Sequence, residues 1–210
     1  MPDLLEKDTR RMEVEFTFTP EEKAELLKIA RESLTAIVSA KEYSPAEGLE
    51  PRLRQKAGAF VTLHLRGELR GCIGLIEAYL PLCETVAEMA AKAAVADPRF
   101  ESVTKSEVEE IEIEISVLSP LKKIADPGDV VVGKHGVLIE KGYYRGLLLP
   151  QVATENGWDR DQFLKYVCLK AGLGKEDYKD PASRLSVFTA EVFSEGEARK
   201  EPEEDVAERT

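Results

Sequence analysis

A strict alternation of apolar and polar residues between Ile111 and Val117 constrains the fold more than any other feature of the chain. Four apolar residues alternate there with three polar ones: Ile111, Ile113, Ile115 and Val117 against Glu112, Glu114 and Ser116. This period of two residues predicts a β-strand with one buried face. Strands of this kind occur mainly in antiparallel sheets, so we expect this segment to lie in one.

Further strands are predicted on both sides of this segment. Residues 59–66 and 69–76 are expected to form a hairpin, because Gly67-Glu68 fits a two-residue type II′ turn. A second hairpin is expected around Lys141-Gly142. The remaining predicted strands cover residues 13–18, 130–132, 136–140, 143–150 and 186–193.

Three helices are predicted from their start and stop signals. Thr19, Pro20 and Glu22 supply an N-cap, a first-turn proline and a capping box for the first helix. The second helix is expected over residues 81–96, and the third begins at Asp159 and stops at Gly172. The chain is therefore predicted to be an α+β protein with mostly antiparallel sheets and about three main helices.

Composition separates a folded body from two polar ends. Residues 1–12 are expected to form a flexible leader, residues 13–194 a single domain, and residues 195–210 a disordered charged tail. The formal net charge of −11 argues against nucleic-acid binding, which is driven by Lys and Arg. No apolar run approaches the roughly 18 residues of a membrane span, and residues 1–12 show no secretory signal, so we expect a cytoplasmic protein. A single Asn and three Gln among many Glu and Lys are typical of heat-adapted proteins.

The segment Arg70-Gly71-Cys72-Ile73-Gly74 is the main candidate site. Gly71 and Gly74 leave the backbone around Cys72 open to a ligand, so both are binding candidates. Arg70 lies two residues from Cys72 and is expected on the same strand face, where a guanidinium favours the nucleophilic thiolate. Cys72 is therefore the candidate catalytic residue. In the structural alternative, Gly71 marks a β-bulge and Cys72 is a small core residue.

His64 is not expected to act on Cys72. With Gly67-Glu68 as the turn, Cys72 pairs with Leu63, and His64 then faces the other side of the sheet. A β-bulge that shifts the register would reverse this expectation.

The segment Asp97-Pro98-Arg99-Phe100 is the second candidate. Arg99 is expected to converge with Arg70 on one cleft that binds a small anion, because the planar guanidinium suits carboxylate or phosphate. In the alternative, Asp97 caps loop amides and Arg99 complements the negative end of the second helix.

Other chemistry-bearing residues give weaker signals. Gln151 leaves a polar amide at a strand exit and is a further binding candidate. Tyr143, Tyr144 and Trp158 fit either a pocket wall or the core. Three widely spaced cysteines and two histidines predict neither disulfides nor a metal site, and no cofactor is expected.

Taken in order, these motifs resemble the AMMECR domain family. The matching segments are residues 70–74, 97–100, 147–151 and 157–159, within a resemblance over about residues 18–194. The resemblance implies an α+β fold with a larger and a smaller subdomain around a cleft, and a candidate active site at residues 70–74. Prokaryotic members are often encoded with a Memo-like protein and a radical-SAM protein, which implies these two as partners in a shared pathway. No reaction is assigned to that family.

Three functions remain open at this stage. The first is an enzyme, or the substrate-handling component of one, that uses Cys72 with Arg70 and Arg99. The second is a non-catalytic module that binds a ligand or a partner protein. The third is an RNA-associated protein, which would need a basic stripe that the sequence does not clearly contain.

Overall fold

The computed structural model describes residues 17–198, so the predicted leader and most of the strand predicted at 13–18 lie outside the described residues. The chain divides into two compact units. The first unit holds the described residues up to Val117 and from Glu191 onward, and the second unit is Leu118–Ala190. Helices and antiparallel strand pairs occur in both units, which confirms the predicted α+β class.

The elements of the described residues are numbered here in chain order. The helices are α1 Pro20–Val38, α2 Leu82–Val95, α3 Pro150–Glu155, α4 Arg160–Lys170 and α5 Glu195–Ala198. The strands are β1 Ala59–Leu65, β2 Glu68–Leu75, β3 Ile111–Leu118, β4 Lys122–Ile124, β5 Gly136–Lys141, β6 Tyr144–Leu148, β7 Arg184–Phe188 and β8 Ala190–Ser194.

The first unit packs two helices on one face of a four-stranded sheet. The strand order is β2-β1-β3-β8, and α2 packs against α1, β1 and β2. Alanines on α2, such as Ala90 and Ala93, are buried and allow close approach to the sheet. Ile113 and Ile115 of β3 are fully buried, as their alternation predicts.

Side-chain caps start the two helices whose capping boxes were predicted. Thr19 Oγ1 accepts from the Glu22 amide at 3.2 Å, and Glu22 Oε2 accepts from the Thr19 amide at 2.8 Å. Asp159 and Gln162 make the same reciprocal pair at the start of α4. Each box satisfies backbone donors that have no partner within the helix.

The second unit places α4 against a four-stranded sheet with the order β4-β7-β5-β6. Its core includes Val137 and Ile139 from β5 and Phe163 and Val167 from α4, all fully buried. Two strand predictions are wrong here. Residues 130–132 form no strand, and the predicted strand over residues 143–150 ends at Leu148. The proline at 150 lacks an amide donor and instead begins α3, where its fixed φ suits a first helical turn.

The predicted strand over residues 186–193 is two strands in different sheets. β7 belongs to the second sheet and β8 to the first, and Thr189 lies between them. Ser119 and Thr189 hold this passage, because the Ser119 amide donates to the Thr189 carbonyl and the Thr189 amide donates to Ser119 Oγ, each at 2.9 Å. The alternation of residue types is continuous across the break, so it did not reveal the change of sheet.

The packed body continues past the boundary predicted at Glu195. The Arg31 guanidinium pairs with the Glu195 carboxylate, which also accepts from the Ile113 amide at 3.1 Å. Arg31 further donates to the carbonyls of Val108 and Ile111. Glu195 is therefore part of the fold, and the rest of the predicted tail from residue 199 lies outside the described residues.

Among the residues that the structure describes, no helix combines the length and the apolar character that a bilayer crossing requires.

Candidate functional site

The β1–β2 hairpin turns one residue earlier than predicted. Leu65 pairs with Glu68, so the two turn residues are Arg66 and Gly67. Their φ angles of 55° and 85° are both positive, as a type I′ turn requires. Glycine suits this backbone, whereas Arg66 adopts it at a steric cost.

A β-bulge at Arg70 then shifts the register of the hairpin. Leu63 pairs with Gly71 while His64 pairs with Leu69, which leaves Arg70 as the extra residue of β2. Cys72 consequently pairs with Thr62, and the predicted pairing with Leu63 is wrong. Because one residue of shift changes the face, Cys72 lies on the side of Thr62 rather than on the helix-covered side.

The bulge brings Cys72 and Gly74 to the polar face of the first sheet. We define this polar face by Phe60, Thr62, His64, Cys72, Gly74, Glu112, Glu114 and Ser116. Thr62 lies between Cys72 and Glu114 as the direct partner of both, and its hydroxyl donates to Cys72 Sγ at 3.3 Å. His64 shares this face with Cys72, contrary to expectation. No hydrogen bond joins the two within the described residues, so the contact that orients the sulfur is with Thr62.

Asp97 and Arg99 complete the open edge of this sheet beside Cys72. β2 is an edge strand, and the Cys72 amide donates to Asp97 Oδ2 at 2.9 Å. Arg99 Nη2 lies 3.5 Å from the Cys72 carbonyl oxygen. The two side chains thus replace the backbone partners that a neighbouring strand would supply. The predicted capping of loop amides by Asp97 is present as well, since Asp97 also accepts from the Arg99 amide.

The Asp97–Arg99 pair is tightly bonded, and both groups are charged at neutral pH. Asp97 is 5% exposed, and it accepts from Arg99 Nε at 2.9 Å and from Nη2 at 2.7 Å. These bonds from Arg99, with smaller contributions from the amides of Cys72 and Arg99, hold the pKa of Asp97 far below its ordinary value despite burial. The bonds to Asp97 likewise raise the pKa of Arg99.

One edge of the Arg99 guanidinium remains open to solvent. The side chain is 54% exposed, and Nη1 makes no hydrogen bond within the described residues. The Phe100 ring lies beneath the guanidinium, with 5.4 Å between the ring centroid and Cζ. Asp97 and Phe100 therefore hold the guanidinium plane in place while its outer donors stay accessible.

Arg70 does not share an anion site with Arg99. It donates to Glu107 through Nε at 2.8 Å and Nη2 at 3.3 Å, and to the Glu101 carbonyl through Nη1 at 2.8 Å. The Arg70 bonds, followed by the Thr104 amide, lower the pKa of Glu107 to about 2. Each arginine has its own carboxylate, so the predicted convergence on one anion cleft is wrong, and Arg70 instead anchors the loop after α2.

The two glycines of the motif have packing reasons. A Cβ on Gly71 would lie 2.2 Å from the Ala93 carbonyl oxygen, so only glycine lets β2 pass under α2. A Cβ on Gly74 would lie 2.1 Å from the Phe60 ring, which covers this residue. Their predicted role in ligand binding stays a prediction.

The remaining sequence candidates lie away from Cys72 in the chain. Gln151, in the second unit, is the second residue of α3 and is half-buried. Trp158 stacks on Tyr166 with 3.9 Å between ring centroids, while Tyr143 is fully exposed at the β5–β6 turn. Cys83 and Cys168 are buried, and burial raises the pKa of both thiols, whereas Cys72 is half-buried.

One groove of the first unit was missed from the sequence. It has a cavity volume of about 980 Å³ and lies between α1, residues 41–46 and the start of α2. Tyr43 lines it, and the Tyr43 hydroxyl donates to Glu32 at 2.8 Å. Burial and this hydrogen bond raise the pKa of Tyr43. The residues that line the groove come from α1, from residues 41–46 and from the start of α2, which are distant from one another in the sequence, so no local pattern indicates the groove. Within the described residues, no group of three or more His, Cys, Asp or Glu could hold a metal ion.

The chain is an α+β protein whose first unit carries a cysteine and an Asp–Arg pair at an open sheet edge. The AMMECR1 family model matches residues 27–193, and the chain belongs to the AMMECR1 family.

The relatives include archaeal proteins, among them proteins of thermophiles. A protein of Methanothermobacter thermautotrophicus is 42% identical over 177 residues, covering 81% of this chain and 92% of that one. A protein of Methanopyrus kandleri is 42% identical over 200 residues, covering 91% of this chain and 95% of its own length. The crystal structure of an uncharacterised protein from Pyrococcus horikoshii is similar, with a TM-score of 0.77, 39% identity, and coverage of 81% of this chain and 89% of that chain.

Proposed function

We propose that the polar face around Cys72 is a substrate-handling site, with Cys72 as its candidate catalytic thiol and Arg99 as the group that binds an anionic part of the substrate. One observation carries this proposal. Asp97 holds the Arg99 guanidinium at the sheet edge next to Cys72, yet the Arg99 side chain stays 54% exposed.

A fixed guanidinium recognises an oxyanion by its geometry. Asp97 occupies one edge of the Arg99 fork, and the donors of Nη1 point to neither Asp97 nor Cys72. Such donors suit a carboxylate or phosphate, because the planar group needs little further ordering to bind. The Asp97 charge offsets that of Arg99, so short-range hydrogen bonds, rather than long-range attraction, would select the substrate.

The thiol is placed for contact with the same ligand. Cys72 is half-buried on the polar face, and Thr62 fixes the direction of its sulfur by a hydrogen bond. Arg99 Nη2 lies 3.5 Å from the Cys72 carbonyl oxygen, so the guanidinium and the thiol belong to the same short stretch of the sheet edge. A substrate whose carboxylate or phosphate binds Arg99 would thus present its adjacent atoms to the sulfur.

The test is the alkylation rate of Cys72 by iodoacetate, whose carboxylate is an anion, at neutral pH in the wild type and in Arg99→Gln. We expect the variant to react several-fold more slowly, since it loses the guanidinium that binds the carboxylate of the reagent beside the sulfur. Cys83 and Cys168 report on folding within the same sample, because they react only when the protein opens. Equal Cys72 rates in two folded proteins would contradict the role of Arg99.

A second candidate function is a non-catalytic module that binds a partner protein. Exposed tyrosines favour it: Tyr143, Tyr144 and Tyr166 of the second unit are 106%, 56% and 45% exposed. Tyrosine is enriched in protein interfaces, where it combines apolar area with a polar group. The Memo-like and radical-SAM proteins encoded with family members are the proposed partners. Copurification that is lost in Tyr143→Ala/Tyr166→Ala but kept in Cys72→Ser would favour this function over the first.

A further inference from the structure

A second cavity lies entirely within the second unit, apart from the polar face. It has a volume of about 460 Å³ and is bounded by the end of β4, Pro127 and the segment from Tyr178 to Leu185. Its walls come from two stretches of chain joined by the antiparallel pairing of β4 with β7. The cavity therefore belongs to the body of this unit and does not depend on any other part of the chain.

The rim of this cavity is basic, although the chain carries a formal net charge of −11. Lys123, Lys179 and Arg184 line it, against a single acidic residue, Asp180. Asp180 already accepts from Lys141 Nζ at 2.7 Å and from the Ala182 amide at 2.8 Å. The Asp180 carboxylate therefore already interacts with groups that do not line the cavity.

Two of the three cations are available to a ligand. Lys179 pairs with Glu176 at 2.5 Å, but neither Lys123 nor Arg184 has an ion pair or side-chain hydrogen bond within the described residues. The direct β5 neighbour of Arg184 is Glu140, whose ion pair is with Arg145 at 3.6 Å. Exposed basic groups with no local partner at a concave surface are typical of anion recognition.

The floor of the cavity is apolar. Tyr178 and Leu185 are each 6% exposed and pack in the core of the unit, and Ile124 is half-buried beside them. A pocket with an apolar floor and a few polar groups at its rim fits a small organic molecule better than a bare ion.

We propose that this basic pocket, defined by Lys123, Arg184, Ile124, Tyr178 and Leu185, binds a small organic oxyanion with an apolar body. Lys123 and Arg184 share the sheet face of Ser186, whereas Ile124 and Leu185 lie on the opposite face, so the two sets of side chains border the cavity at the end of the β4–β7 pair. Arg184 and Lys123 bind the carboxylate or phosphate there, and the apolar body lies on Tyr178, Ile124 and Leu185. The proposal is independent of Cys72, because no residue of the polar face lines this cavity.

The test uses phenyl phosphate, benzoate and inorganic phosphate as probes on the full-length, ¹⁵N-labelled protein. Amide shifts are followed by NMR while each probe is titrated to millimolar concentration. We expect saturable shifts for amides from Tyr178 to Leu185 with phenyl phosphate or benzoate, and weaker binding of inorganic phosphate. The tighter of the two aromatic probes identifies the preferred oxyanion.

The matched variants are Lys123→Gln/Arg184→Gln and Lys122→Gln/Arg145→Gln. Both remove two positive charges, and Arg145 and Arg184 are the two cross-strand partners of Glu140. The first variant should weaken aromatic-probe binding about tenfold or more, because it loses charge-assisted hydrogen bonds. The second should bind as the wild type does. Absence of saturable shifts in this segment, or equal weakening in both variants, would overturn the proposal.

Discussion

Replacement of Asp97 by alanine should destabilise the protein through the sheet edge. The carboxylate accepts one hydrogen bond from the Cys72 amide and three from Arg99. Loss of the acceptor for the Cys72 amide costs about 1–3 kcal/mol. Arg99 is 54% exposed and water can solvate it, so its lost bonds add at most about 1 kcal/mol. We expect the free energy of unfolding to fall by about 1–4 kcal/mol.

Urea unfolding followed by far-ultraviolet circular dichroism measures this loss. Glu101→Ala is the control, since this residue lies in the same loop and its side chain is exposed. The pKa of Asp97 in the folded state is below its ordinary value of about 3.9. Its contribution is therefore present above about pH 4 and is lost as the pH falls toward the folded-state pKa, so wild type and variant should converge in acid. A loss at neutral pH no larger than that of Glu101→Ala would refute the edge-bonding role.

Three further predictions concern stability. Arg66→Asn should raise the free energy of unfolding by roughly 0.5 kcal/mol in urea titrations, because Asn tolerates the positive φ of this turn and the exposed ion pair with Glu110 contributes little. A lower free energy of unfolding in the variant would contradict this prediction. Glu107→Gln should destabilise at neutral pH, and its deficit should shrink between about pH 4.3 and the Glu107 pKa of about 2, as thermal melts across pH would show. A chain ending after Ala198 should keep its melting temperature within a few degrees, whereas one ending after Ser194 should melt lower because Arg31 loses Glu195; equal melting would show that Glu195 contributes nothing.

Helix starts and the central strand were predicted correctly, because each depends on residues that are close together in the sequence. The capping boxes located the starts of α1 and α4, and the alternation in β3 identified its buried face. The strand follows from the alternation of apolar and polar residues, and the helix starts follow from side chains that bond nearby backbone amides. Both signals come from residues close together in the sequence, so they can be identified without the structure.

Features that depend on distant partners were not predictable in this way. Gly71, next to Arg70, indicated a β-bulge in the structural alternative, but the residue types alone did not show that Arg70 is the extra residue. The bulge decides which face Cys72 occupies. Arg70 and Arg99 were identified as charged residues of interest, but their carboxylate partners Glu107 and Asp97 determine what each arginine does. The separate roles of the two arginines therefore became visible only in three dimensions.

The most direct test of the account is the order in which the three cysteines react in the native protein. Limited iodoacetamide treatment followed by peptide mass spectrometry measures it. Cys72 is half-buried on the polar face, whereas Cys83 is 4% exposed and Cys168 is fully buried. We predict that Cys72 is labelled first and that the other two cysteines react only after unfolding. Labelling of Cys83 or Cys168 before Cys72 would contradict the assignment of Cys72 as the reactive group of the site.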